Sequence, residues 1–175
     1  FGLDYGTTDG PWNLPENLKR TNALVKYSRG DRGDGFALTA SVYDGSWNST
    51  DQIPERAVQS GLLDRFGFVD PTNGGESHRY SMSVDWAAQT GADHWRALAY
   101  AVDSDLDLYS NFTYALDQEQ ADQFEQFDER RVYGAMASWR RPFVWDTRPS
   151  EVELGMEVGR DDIEQVGLSR TYARP

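Results

Sequence analysis

The sequence predicts an all-β chain: an antiparallel transmembrane β-barrel segment of roughly seven strands, with short periplasmic turns and long extracellular loops. Three observations predict it. Apolar residues recur with a period of two, which puts them on one face of a strand and polar residues on the other. The connections between these runs alternate between short and long, the rhythm of outer-membrane barrels. The composition is polar on average yet rich in aromatics, with 38% hydrophobic residues, 13% aromatic residues and a mean hydropathy of -0.71. That fits apolar residues spread along alternating strands better than a single dense core.

Taken in order, the chain opens in a strand-like run, Phe1–Tyr5, and a softer run follows at Asn22–Ser28. From Phe36 the apolar positions are Phe36, Leu38, Ala40 and Val42, against Ala37, Thr39 and Ser41. From Tyr80 they are Tyr80, Met82, Val84 and Trp86, against Ser81, Ser83 and Asp85. Trp95 to about Leu116 reads as one long strand, with Arg96, Leu98, Tyr100 and Val102 on one side. A second soft run covers Val132–Trp139. The last run sets Val152, Leu154, Met156 and Val158 against Glu151, Glu153, Gly155 and Glu157. The expectation is that Phe36, Leu38, Val84, Leu154 and Met156 face lipid, while Ser83, Asp85, Glu153 and Glu157 face the lumen.

Short connections are expected at Arg29–Gly35, Gln89–His94 and Arg140–Ser150, and long ones at Gly6–Arg20, Gly45–Ser77 and Asp117–Glu129. The RGDRGDG stretch in the first of these is turn chemistry, since Gly and Asp favour tight turns. Gln52–Leu63, with Pro54 near its start, predicts a short helix inside the longest loop. Tyr43, Trp47, Trp86, Trp95, Trp139 and Trp145 fall near strand ends, where the aromatic girdles of a barrel belong. Bacterial single-chain barrels have an even number of strands. An odd set with incomplete outer members therefore reads as residues 1–175 of a single outer-membrane β-barrel domain, truncated at both ends.

Several function classes fall away. A net charge of -12 argues against a nucleic-acid partner, because phosphate contacts need a basic face. With no cysteine there is no thiol catalysis, disulfide or zinc–thiolate site. No stretch of apolar residues is long enough for a transmembrane helix. His78 and His94 lie far apart in sequence, and neither an HExxH, a GxSxG nor a P-loop pattern is present. No catalytic residue, enzyme activity or cofactor is expected.

The candidate site residues lie in the loops and on one strand. Trp12, Trp47 and Phe66 are expected near a small-molecule substrate, because aromatic faces suit sugars and aromatic chelators. Asp103, Asp105 and Asp107 alternate along a strand, so they share a face on which oxygen ligands can hold Ca²⁺. The glycine and distal glutamate of an EF-hand loop are missing around them. The acid- and Gln-rich run Asp117–Arg131, with Phe124 and Phe127 interleaved, is expected to be a polar extracellular loop.

Three segments, in order, resemble the barrels of TonB-dependent receptors. They are GPWNLPENLKR from Gly10, GFALTASVYDGSWNSTDQIPERAV from Gly35 with GLLDRFGFVDPTNGG after it, and LYSNFTYALDQEQADQFEQFDERRVYG from Leu108. The resemblance implies a large barrel of about 22 strands, plugged by a globular domain. It also implies active uptake of a scarce substrate, such as a siderophore, glycan, vitamin or metal complex. The implied partners are outer-membrane lipid, the remainder of the barrel, the plug domain, and TonB acting through a plug region absent from this chain. The implied location is the bacterial outer membrane. The alternative is a soluble all-β ligand-binding module, for example for carbohydrate, which predicts two packed sheets. A small complete barrel acting as a hydrolase is a third reading, and it lacks a catalytic set.

Overall fold

A computed structural model of the chain describes residues 1–111 and 122–174. Strands β1 (Gly2–Thr8), β2 (Leu18–Gly30), β3 (Gly35–Asn48), β4 (Gly74–Thr90), β5 (Asp93–Ser110), β6 (Phe124–Trp145) and β7 (Arg148–Arg170) form one antiparallel sheet of seven strands. Each strand pairs with its sequence neighbours, in the order β1 to β7. The sheet does not close: among the described residues β1 and β7 each keep one unpaired edge. Nor is there a second sheet against it, so the two packed sheets of the soluble module are not formed among these residues.

The register places side chains on two faces. Across β3, β4, β5, β6 and β7 one row runs Leu38, Val84, Ala99, Ala135 and Val158, and the row beside it Phe36, Trp86, Ala97, Ala137 and Met156. All lie on one face, joined by Leu154. Ser83, Asp85, Arg96, Leu98, Tyr100, Glu153 and Glu157 lie on the other. The expected division of residues between faces is therefore the observed one.

Exposure inverts what a soluble protein does. On β3, Phe36, Leu38, Ala40 and Val42 are exposed while Ala37, Thr39, Ser41 and Tyr43 are half-buried, and β4 repeats the pattern. On these two strands the apolar face is thus the more exposed one. Among the described residues the buried hydrophobics are few, namely Ala57, Ala87 and Tyr109, whereas Leu154 is 63% and Met156 69% exposed. The sheet thus presents an apolar band on one face in place of a core.

The band has chemical borders. At the short-turn end, Trp86, Trp95, Trp139, Phe143 and Trp145 share the apolar face. Trp95 and Trp139 stand directly opposite each other with ring centroids 6.1 Å apart, and Asp93 accepts the Trp139 indole N–H at 2.9 Å. At the other end, Tyr80 and Tyr133 precede a charged row in which Arg131 bonds Asp103 at 3.0 Å and Glu164 at 2.7 Å. On β3, β4 and β7 the apolar run, Phe36–Val42, Tyr80–Trp86 and Val152–Val158, covers about seven residues, roughly 23 Å along the strand at ~3.3 Å per residue. Tyr43 and Trp47, expected in the girdles, lie on the polar face instead, because their odd positions on β3 alternate with Val42 and Asp44.

The turns are tighter and the strands longer than the sequence suggests. Arg140–Ser150 is almost wholly strand, since cross-strand pairs continue to Trp145 and Arg148. The actual turn is Asp146-Thr147, with φ of 44° and 67°, the left-handed pair that a two-residue hairpin requires. The β2–β3 turn is an Asx turn, as its composition implies. Asp31 accepts the N–H groups of Gly33 and Asp34 at 2.7 and 2.9 Å, which hold its carboxyl below the ordinary range. Phe124–Arg131, expected in a loop, belongs to β6, with Asp128 salt-bridged to Arg130. Positions 112–121, including the expected strand end at Leu116 and the start of the loop at Asp117, lie outside the described residues.

Candidate functional site

The three long connections all emerge at one end of the sheet, and polar side chains tie them together. Among the described residues the most fully buried side chains are Gln123 and Asn73. Asn73 donates to Asp51 at 2.7 Å, and the Asn111 backbone N–H donates to the same carboxylate oxygen at 3.1 Å. Gln123 donates to the Thr72 hydroxyl at 2.7 Å and accepts from Thr171 at 2.8 Å. Asp70 accepts from the Thr72 hydroxyl at 2.6 Å, the Thr72 N–H at 2.9 Å and Asn111 at 3.0 Å. Burial opposes charge on Asp70, but the bonds from Thr72, Asn111 and Gln123 outweigh it and set its pKa below the ordinary value. Among the described residues no buried side-chain polar atom lacks a partner. In a chain so poor in buried apolar groups, this network fixes the loops.

The anchored loops frame a cleft. Trp12, Glu16, Leu18, Trp47, Asn48, Ser49 and Thr50 line a space of about 260 Å³ at the long-loop end of the polar face. Leu18 and Trp47 reach it from β2 and β3, one register step beyond the Lys19–Ser46 pair. The β1–β2 loop supplies the other wall. Its Trp12 indole donates to Glu16 Oε1 at 2.7 Å. Backbone bonds stitch the walls together: Asn48 N–H to the Glu16 carbonyl at 2.6 Å, and Asn13 N–H to the Phe66 carbonyl at 2.9 Å. The helix α1 (Glu55–Gln59), which falls where the sequence predicts one, buries Ala57 under the β3–β4 loop.

Of the aromatics expected near substrate, Trp12 and Trp47 share this cleft although they are distant in sequence. Phe66 does not line it. Phe66 packs behind Trp12, with ring centroids 5.9 Å apart, and buttresses that wall. Sequence reasoning missed Glu16, whose spacing of four residues from Trp12 is the one available hint.

Asp103, Asp105 and Asp107 do share a face, but it is the apolar face, above the band. The strand keeps them in a line. Asp103 is engaged by Arg131 at 3.0 Å and by the His78 ring at 3.4 Å, so it serves a salt-bridge row. Among the described residues no three His, Asp or Glu side chains are grouped so as to hold a metal ion.

A second concavity of about 680 Å³ lies at the short-turn end of the polar face. Lys26, Arg29, Arg32 and Arg96 give it a basic lining beside Asp31 and Asp85. Arg96 is already bonded to Asp85 at 2.8 Å. Comparison of the chain with protein-family models, with curated proteins and with solved structures gives no match.

Proposed function

We propose that this chain is a wall segment of a bacterial outer-membrane β-barrel, part of a TonB-dependent receptor that takes up a scarce small molecule. The observation that carries the reading is the exposed apolar band on one face of the sheet, bounded by tryptophans below and by tyrosines and ion pairs above. In water such a surface is unfavourable by roughly 25 cal/mol for every Å² left uncovered. In a bilayer it is the surface that lipid covers. The short turns then lie on the periplasmic side and the long loops outside. Strands β2 to β7 are long enough for this placement, while β1, with 7 residues, is shorter than a full crossing. The 22 residues of β6 and 23 of β7 exceed the ~9–11 needed to cross a bilayer. They carry the loops well beyond the outer surface.

The resemblance of the Gly10, Gly35 and Leu108 segments supports the narrower reading as a TonB-dependent receptor. In that reading the remainder of the barrel pairs with the free edges of β1 and β7. The plug domain lies against the polar face, and TonB acts through the plug. Residues of the wall shape and line a transport path, and no covalent chemistry is assigned to them.

The absence of cysteine from the sequence makes the test clean. Val84→Cys and Ser83→Cys, each carrying an environment-sensitive fluorophore, are compared in membranes containing a lipid-borne quencher. The label at position 84 should emit blue-shifted light and be quenched by the lipid probe. The label at position 83 should not. Equal emission from both positions, or a protein recovered in the soluble fraction, refutes the reading.

A further inference from the structure

We propose that the cleft between Trp12 and Trp47 is a subsite for a neutral sugar ring of an oligosaccharide. The proposal rests on the uptake reading in one respect: the bound sugar is the cargo.

The cleft is built for a ligand with an apolar face and a hydroxylated rim. Trp12 and Trp47 supply indole surfaces, onto which the C–H face of a pyranose stacks. Glu16, Asn48, Ser49 and Thr50 supply a carboxylate, an amide and two hydroxyls beside those surfaces. Glu16 commits Oε1 to the Trp12 indole at 2.7 Å. Its Oε2 takes no hydrogen bond from any described residue, which leaves it available as an acceptor. A purely apolar aromatic guest would leave these polar groups unpaired on desolvation, which costs binding.

Charge narrows the class further. Among the described residues the lining carries the Glu16 carboxylate and no Lys or Arg. The chain as a whole bears a net charge of -12. An anionic iron chelate would meet the Glu16 carboxylate with no cation in the lining to offset it, Arg174 being engaged with the Trp47 carbonyl at 3.0 Å and with Glu76, whereas a neutral glycan meets no repulsion. Size agrees: a space of about 260 Å³ is smaller than the sites that enclose whole drug-sized molecules and suits one ring of a longer chain.

The walls are also pre-organised, so little ordering accompanies binding. Glycines permit the aromatic placements. Gly10 adopts φ +62°, and a Cβ there would lie 2.8 Å from the Glu16 carboxyl carbon and 3.0 Å from the Trp12 ring. At buried Gly75, a Cβ would press on the Trp47 ring at 3.1 Å and on the Asp107 carbonyl. Both positions therefore hold the aromatics by lacking a side chain.

The test is calorimetric titration of the purified protein in detergent with maltohexaose, cellohexaose, xylohexaose, chitohexaose and a ferric tris-catecholate chelate. At least one hexasaccharide should bind saturably, and the chelate should not. Trp12→Ala and Trp47→Ala should each weaken that binding at least tenfold, and Trp47→Phe should recover part of the loss. Glu16→Gln should weaken binding several-fold while leaving the fold intact. Trp145→Ala, at the far end of the sheet, should change nothing. Binding of none of the sugars, binding of the chelate instead, or sugar affinity unchanged in both alanine variants overturns the proposal. Because binding is read in detergent and the fluorophore test is read in membranes, sugar binding by a protein that fails the latter removes the uptake role and leaves the subsite standing.

Discussion

Gln123 donates its side-chain amide to the hydroxyl of Thr72, at 2.7 Å, across 51 residues of sequence. The bond joins the β5–β6 connection to the end of the β3–β4 loop. Thr72 in turn donates to Asp70, so one hydroxyl serves as acceptor and donor within the same cluster. Gln123 and Asn73 are the most buried side chains described, while Thr72 and Asp70 are half-buried.

Removing that hydroxyl with Thr72→Val should cost the Gln123 amide its shortest acceptor, leaving it Asn73 at 3.2 Å and Asp70 at 3.4 Å, and should leave Asp70 short of a donor. The expected loss is ~1–3 kcal/mol of local loop stability, the usual cost of a buried polar group left unmade. Amide hydrogen exchange should show faster exchange across residues 49–73 and unchanged rates in the centre of β4 and β5. Uniform loosening of the sheet would show that the network does not act locally.

The same cluster predicts a pH dependence. Asp70 has its pKa below the usual value, held there by Thr72, Asn111 and Gln123 against the effect of burial. A group depressed in the folded state adds stability above its unfolded pKa and loses it as pH falls through the folded value. Protease resistance of the β3–β4 loop should therefore be constant from pH 8 to about 4, near the ordinary carboxyl pKa, and decline below it. Asp70→Asn should be less resistant at neutral pH and show a weaker acid response.

On β5 the smaller residue should be the more sensitive one. Ala99 lies in the middle of the apolar band and Leu98 on the polar face. In lipid vesicles Ala99→Arg should lower the folding free energy by ~2–4 kcal/mol, as arginine does at the middle of a bilayer. Leu98→Arg should cost less, although leucine is the more hydrophobic of the two. Reversible denaturant titration in vesicles measures both, and the reverse ranking would mean that the faces are misassigned.

The β6–β7 hairpin carries strain at its turn. Thr147 is β-branched and sits at φ 67°, where such residues are rare. Thr147→Gly relieves that conformation and should stabilise the hairpin, provided the gain exceeds the chain entropy glycine adds to the unfolded state. A net gain of up to ~1 kcal/mol is expected, read as a higher midpoint in the same titration.

How much of this was legible in the sequence depends on the strand. β3, β4 and β7 announce themselves because bulky apolar residues alternate with Ser, Asp and Glu. On β5 and β6 the signal is muted: Ala97, Ala99, Ala135 and Ala137 occupy the apolar face, while Leu98, Tyr100 and Met136 occupy the polar one. Which face is outward there follows only from the neighbouring strands, through cross-strand register. The hairpin at Asp146-Thr147 was obscured because its flanks pair to the last residue.

At the site, the sequence supplied Trp12 and Trp47 as stacking surfaces but not their meeting, which depends on the register of β2 with β3. Phe66, the third aromatic of that expectation, packs against Trp12 and is not in the cleft lining. The Asp51, Asp70, Thr72, Asn73, Asn111 and Gln123 network was invisible, since its partners are tens of residues apart and each alone is an ordinary polar loop residue.

Because each strand pairs only with the strands before and after it, the hairpin is a separable unit. Deleting any two consecutive inner strands, β4 and β5 for instance, would bring β3 beside β6 still running antiparallel, with long connections still at one end. A lineage of such sheets can thus widen or narrow its circumference by gain or loss of whole hairpins, since barrel diameter grows with strand number. Each such change leaves the direction of every remaining strand as it was.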